Sequence, residues 1–120
     1  MRKIDKSPNI PATLVGANVP TSPANVQENI YKANDVRLQL ETDQHYKCAF
    51  CECYLPLQYH DVEHFRPKAH YYWLGHDWDN LLYSCERCNR SYKKAQFPLA
   101  EGSVQANSPA DDITLEHPLL

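Results

Sequence analysis

Two cysteine pairs, Cys48-x-x-Cys51 and Cys85-x-x-Cys88, constrain this chain more than any other feature of it. A two-residue spacing lets both thiolates of a pair reach one ion from a tight turn. Two such pairs complete a tetrahedral four-sulfur site that suits Zn²⁺ and is closed to water. A closed site stabilises without performing catalysis, and in a chain with little regular structure it would supply much of the folding free energy. A thioredoxin-like redox pair would need one such motif on a βαβ pattern, which two pairs flanking a compact segment fit badly. Cys53 leaves an ambiguity, because Cys51-Glu52-Cys53 lets it stand in for Cys51. The spacing that mirrors Cys85 and Cys88 favours Cys51, and Cys53 reads as a small packed thiol.

A length of 120 residues implies one domain. The nine prolines lie mostly outside the middle, with Pro8, Pro11, Pro20 and Pro23 in the first 25 residues. No apolar run is long enough to cross a membrane. The opening "MRKIDKSPNI" has basic residues but no apolar stretch behind them, so it does not read as a secretory signal. That points to a reducing cytoplasm, where five cysteines are ligands or thiols rather than disulfides, and the odd count agrees. The net charge of −3 does not advertise a nucleic-acid binder, but it is unevenly spread. Residues 64–94 carry Arg66, Lys68, Arg87, Arg90, Lys93 and Lys94, whereas residues 95–120 have no Lys or Arg. A locally basic middle is enough to dock on phosphates, and an acidic remainder limits unselective binding.

Residues 1–25 read as an extended N-terminal arm anchored by Ile10, Leu14 and Val15. Val26, Ile30, Ala33, Arg37 and Leu40 then recur at helical spacing, which predicts an amphipathic helix over residues 26–44. Asn25 is its expected N-cap, with Glu28 three residues on, and its apolar stripe reads as a core face. "YKCAFCECYLPLQ" suggests a hairpin-like knuckle. "DVEHFRP" reads as a short strand entering a loop, because Pro67 forces Arg66 towards an extended conformation. A short helix is expected from Glu86 to Gln96, ended before Pro98. Residues 99–120 read as an irregular acidic tail that stops abruptly on Leu119-Leu120, as a truncated chain would.

The residues between the cysteine pairs go beyond what a folding module needs. Hydrolysing a phosphodiester requires a group that takes a proton from water, and a hard divalent cation to neutralise charge on the phosphate and leaving oxygen. Mg²⁺ keeps most of its waters and binds through one or two protein oxygens. Glu63, His64 and Asn89 are a carboxylate, an imidazole and an amide of that kind. Asn89 directly follows Cys88, at the start of the expected last helix, where free N–H groups also favour a phosphate.

"CAFC", "VEHFRPK", "WDNLLYSCERCNRSYKK" and "FP" together resemble the HNH endonuclease family. More narrowly, they are similar to the bacterial HNH nucleases that work beside an ATPase in the Septu anti-phage defence system, some of them attached to retrons. The resemblance covers roughly residues 45–98. It implies an α+β fold: a small ββα-metal, treble-clef-like core with a structural zinc, preceded by the helix and arm. Residues 26–98 are then the nuclease domain with its leading helix. Carried over by position, His64 is the general base, and Glu63 and Asn89 hold the catalytic Mg²⁺ or Mn²⁺. Asn80 is the middle asparagine that holds the loop and orients His64. Cys48, Cys51, Cys85 and Cys88 match the zinc ligands of many members. Glu63 replaces the commoner Asp, and Asn89 stands where others have His, which favours hard cations over softer ones.

The implied substrate is DNA, with RNA as an alternative, and the implied partner is an ATPase subunit. Arg66, Lys68, Arg90, Lys93 and Lys94 are the expected phosphate contacts, giving salt-dependent and largely sequence-independent binding. His45, His60, His70, His76 and His117 read as surface or packing residues rather than ligands. Tyr71, Tyr72, Trp73 and Trp78 read as core packing under the metal loop, with base stacking as the lesser alternative. The competing class is a non-catalytic zinc-binding interaction module, such as a cross-brace with eight ligands for two ions. Metal analysis of the purified chain separates the two: about one tightly held zinc per chain is expected, and two would indicate a cross-brace.

Overall fold

The structure is a computed structural model that describes residues 4–54, 60–88 and 97–119, with only the backbone of His60. Among the described residues, three α-helices precede the sheet: α1 (Ala12–Val15), α2 (Glu28–Tyr31) and α3 (Asn34–Asp43). The N-terminal segment is therefore not simply extended. Pro11 precedes the single turn of α1, and Pro23 opens a 3-10 turn over Pro23–Asn25, both positions where a missing N–H costs nothing. Leu14 is its buried anchor, whereas Ile10 and Val15 are exposed.

The single helix expected over residues 26–44 is broken into α2 and α3. Ala33 takes an extended conformation between them. The cause lies in packing. On one continuous helix Tyr31 and Val36 would point about 140° apart, yet both are buried in the same cluster. The break lets each reach it. Asn25 is not the cap of α2, which starts after Gln27; its amide instead donates to the Thr21 hydroxyl at 2.8 Å. Asp35 ties the start of α3 to α1 by accepting from the Thr13 N–H at 3.0 Å.

Strands β1 (His60–His64) and β2 (Leu81–Cys85) form an antiparallel pair, in register from His60 opposite Cys85 to His64 opposite Leu81. All five residues of β2 are buried. Its other edge is completed by a side chain. The Gln44 amide donates to the Tyr83 carbonyl at 2.7 Å and accepts from the Tyr83 N–H at 2.7 Å, and the Ala49 N–H reaches the same carbonyl at 3.0 Å. This docks the cysteine knuckle on β2. The knuckle itself closes through the Cys48 N–H to the Cys53 carbonyl at 2.9 Å and a Lys47–Tyr54 bridge. His45, Tyr46 and Glu52 turn it with left-handed backbones. The main core gathers Val36, Leu40, Val62, Trp78, Leu81 and Tyr83 together with Cys48, Cys85 and Cys88. Lys6 closes it from the arm, its ammonium 4.4 Å from the Trp78 ring centroid and hydrogen-bonded to the Trp78 and Leu81 carbonyls.

Between the strands, residues 65–80 form a long loop built from 3-10 turns at Tyr72–Leu74 and Trp78–Asn80. Helical backbone begins at Glu86, and the remainder of the expected Glu86–Gln96 helix lies outside the described residues. The architecture is thus α+β, with two strands joined by a crossing loop. The tail folds back onto that loop. Tyr71, Trp73 and Ala106 form a second core cluster with Phe97 and Ile113 against them. Tyr71 and Trp73 are thus core residues, as is Trp78 in the main cluster.

Glu116 fixes this return. It is 4% exposed and accepts from Arg66 Nε at 2.8 Å, the Tyr71 hydroxyl at 2.6 Å and the Ala106 N–H at 2.9 Å. Burial alone would raise its pKa, but the hydrogen bonds from Tyr71, Arg66 and Ala106 and the Arg66 charge hold it below the usual carboxylate range. A depressed carboxylate contributes stability that is complete above its unfolded pKa of about 4.3 and lost as pH falls through the folded value. Glu116→Gln is expected to cost about 3 kcal/mol in urea unfolding at pH 7, because it leaves the Arg66 charge unpaired. The gap to wild type should shrink as the pH is lowered below about 4.

A candidate active site beside a cysteine cluster

The two cysteine pairs meet. The Sγ atoms of Cys48, Cys51, Cys53 and Cys85 all lie within 4.8 Å of one another, and Cys51 and Cys85 are 3.7 Å apart. A zinc–sulfur tetrahedron with bonds of about 2.3 Å has edges of about 3.8 Å, so the donors are spaced for that ion. Cys88 is also buried, and burial first, then the Cys85, Cys51 and Cys48 thiols, hold its pKa well above the ordinary thiol range. The spacing predicts Cys48, Cys51, Cys85 and Cys88 as the set, whereas the four sulfurs that lie within 4.8 Å of one another include Cys53 in place of Cys88. Cys53 is more than a packed thiol, since it belongs to the same cluster. Cys48, Cys51 and Cys85 are common to both four-sulfur sets, one completed by Cys88 and the other by Cys53.

Thiols this close divide their protons unequally. Burial pushes Cys48 up, and it pushes Cys53 up to about 12 with help from the Cys51 and Cys85 sulfurs. Burial also opposes ionisation of Cys51, but hydrogen bonds from Cys53, Cys85 and Cys48 outweigh it and lower that thiol to about 7. That lowering favours the thiolate of Cys51, the form a metal requires. Cys48 and Cys53, held above the ordinary range, would need the ion itself to ionise them near neutral pH.

Strand β1 carries Glu63 and His64 out of this cluster. Both are buried, at 7% and 4% exposure. Nε2 of His64 lies 3.0 Å from the Gly75 carbonyl. A carbonyl only accepts, so Nε2 carries a proton, and in the neutral form of the ring the lone pair is then at Nδ1. That tautomer is suited to taking a proton. The ring also meets Tyr31 edge-on, with centroids 4.5 Å apart.

Asn80 holds the crossing loop that supplies this carbonyl. Its Oδ1 accepts from the Arg66 N–H at 2.8 Å, and its Nδ2 donates to the Arg66 and Leu74 carbonyls at 3.0 and 3.2 Å. Its backbone carbonyl takes the Phe65 N–H at 2.9 Å. One buried amide thus pins both ends of the loop, one residue before Gly75.

Neighbouring strand residues face opposite sides, so Glu63 leaves the ribbon with Asp61 and His64 with Val62. Tyr31 sits beside both. Its phenol is held above the ordinary range chiefly by burial, with the charges of Glu28, Asp61 and Glu63 adding to it and that of Lys32 opposing. Lys32 pairs with Asp61 at 3.1 Å and with Glu28 at 2.9 Å, closing the approach from α2. Asn89, the proposed amide partner of Glu63, lies outside the described residues, as do Arg90, Lys93 and Lys94.

Of the other basic residues, Lys68 is exposed on the loop. Arg66 is committed to Glu116 and stacks 5.1 Å from the Phe97 ring centroid, so a phosphate would compete with that pair. His45 and His117 are exposed, and His70 Nε2 donates to the Ala106 carbonyl at 2.9 Å. Tyr31 and Gly75 were not legible as site residues. Tyr31 is one aromatic among many, and the part of Gly75 is played by its carbonyl, which every residue has.

The HNH endonuclease family model matches residues 48–95. The chain is also similar to Septu protein PtuB of Bacillus mycoides (strain KBAB4), at 38% identity over 96 residues, covering 68% of this chain and 32% of that protein. To Septu protein PtuB of Bacillus thuringiensis it is 36% identical over 88 residues, covering 70% of this chain and 34% of that protein. It therefore spans about a third of the length of the curated relatives it matches.

Asn80→Asp removes the donor that two carbonyls share and sets a carboxylate against them. The expected cost is about 2–3 kcal/mol. Native-state hydrogen exchange should show it as faster exchange of the Arg66 amide than of those in β2.

Proposed function

Because the chain belongs to the HNH endonuclease family, we propose that it is a metal-dependent nuclease hydrolysing phosphodiester bonds in DNA. In this reading it is the effector nuclease of an anti-phage defence system and works with an ATPase subunit. The observation that carries the chemistry is the buried hydrogen bond from His64 Nε2 to the Gly75 carbonyl, 3.0 Å long. It aims the basic nitrogen of a neutral imidazole, and a module that only folds around zinc has no need of it.

His64 Nδ1 takes the proton of a water as its oxygen attacks phosphorus on the side opposite the leaving oxygen. Asn80 keeps the loop, and with it the Gly75 carbonyl, in place during the transfer. Glu63 and Asn89 would hold a divalent cation. Their hard oxygen donors suit Mg²⁺ or Mn²⁺, which when bound neutralises charge on the scissile phosphate and the departing oxygen. The cysteine cluster would hold zinc as a structural ion, tying the knuckle to the end of β2. Lys68, with Arg66, Arg90, Lys93 and Lys94, would contact backbone phosphates, which positions the strand without reading its sequence. No helix among the described residues is long and apolar enough to cross a membrane, and we place the protein in the cytoplasm with its nucleic-acid substrate.

The test is cleavage of plasmid DNA, single-stranded DNA and RNA with Mg²⁺ or Mn²⁺, with and without an ATPase partner. His64→Ala is expected to keep its zinc and its fold while losing on the order of 10²–10⁴ in rate. Undiminished cutting by that variant refutes the assignment.

A further inference from the structure

The Gly75 carbonyl belongs to the peptide plane shared by Gly75 and His76, so whatever fixes His76 fixes the acceptor that orients His64. His76 is 8% exposed, and both of its ring nitrogens are engaged. Nδ1 donates to the Asn18 carbonyl at 2.9 Å, and Nε2 accepts from the Gln27 N–H at 2.9 Å. One neutral tautomer serves both bonds, and both partners are backbone groups of the N-terminal segment. That segment touches the same peptide once more. A Cβ added to Gly75 would lie 2.7 Å from both γ-carbons of Val26 and 3.1 Å from the Tyr72 carbonyl, so Val26 presses directly on the Gly75 backbone. Tyr31 then packs edge-on against the His64 ring itself.

We propose that His76 is a positioning residue for His64, and that through it the segment from Asn18 to Tyr31 forms the back wall of the catalytic site. The inference rests on the reading of His64 as the base. Asn80 holds the loop from the sheet side, one residue before Gly75, and His76 holds it from the arm side, one residue after. With either hold gone, the Gly75–His76 peptide can rotate, and the His64 ring loses the acceptor that fixes its tautomer.

The geometry also supplies a direct assay. A cavity of about 510 Å³, lined by Asn18, Val19, Gln27, Ile30 and His76, opens onto the His76 ring. Free imidazole can therefore re-enter the space left when that ring is removed. The full chain carrying His76→Ala is compared with wild type and His64→Ala. The measurements are zinc content, plasmid cleavage, and the nitrogen-15 spectrum that reports which ring nitrogen of His64 is protonated. The expected result for His76→Ala is retained zinc, unchanged KM and kcat reduced about 10- to 100-fold, as for a misplaced catalytic group. His64 should lose its fixed tautomer, and added imidazole should restore rate and spectrum together.

A wild-type rate or an unchanged His64 spectrum in His76→Ala overturns the proposal. Should His76→Ala fail to fold, Gly75→Ala offers a second route, because its methyl would lie 2.7 Å from both γ-carbons of Val26 and so drive the Gly75 backbone and the arm apart. Adding Val26→Ala to Gly75→Ala makes room for that methyl and should return the His64 tautomer, and no return also overturns the proposal. If wild type cleaves nothing, the nuclease reading fails, while the His64 spectra still decide whether His76 positions the ring.

Discussion

The convergence of thiols at the end of β2 is the constraint on which the remainder of this small protein depends. Cys85 ends the strand and Cys48 opens the knuckle, so any ion held between them locks two distant segments to one sheet. Cys48, Cys85 and Cys88 are buried within the main apolar cluster, with Cys53 packed against it and Cys51 exposed. A metal held there would compensate for burying thiolates and would tie the knuckle to the end of β2. Gln44 reinforces that docking from the other side by occupying both backbone groups of Tyr83 with a single amide.

From that anchored sheet the site is built by a loop, and a loop needs holding. Its backbone polar groups would otherwise be buried without partners, at a cost of about 1–3 kcal/mol each. Asn80 answers three of them and the His76 clamp ties the turn to the arm, so the segment between the strands behaves as part of the frame. Glu116 extends the same logic outward, drawing the acidic tail over Arg66 and Tyr71. The result is a buried, already oriented imidazole, which is the costly part of general-base catalysis to arrange.

Much of the site was readable because its chemistry is written in residue types. Paired cysteines at one spacing, a Glu63-His64 dipeptide before Pro67, and an asparagine ahead of a strand are local signals, and the structure finds His64 and Asn80 buried at the loop. The helix break at Ala33 was not readable, because apolar spacing from Val26 to Leu40 is continuous and only the positions of two separate packing partners interrupt it. Arg66 looked like a free basic residue because Glu116 stands fifty positions away, and sequence carries no distance between them. Cys53 looked spare for the same reason.

The sequence by itself determined which groups the chain can offer for ligation and proton transfer, five thiols among them, and the turn residues that let them approach. Only the tertiary structure decided how each is aimed. Orientation here comes from backbone carbonyls, those of Gly75, Leu74 and Asn18, and a carbonyl is common to every residue and so leaves no mark in the sequence. Its direction is fixed by packing among segments far apart in the chain, and that packing exists only once the chain has folded.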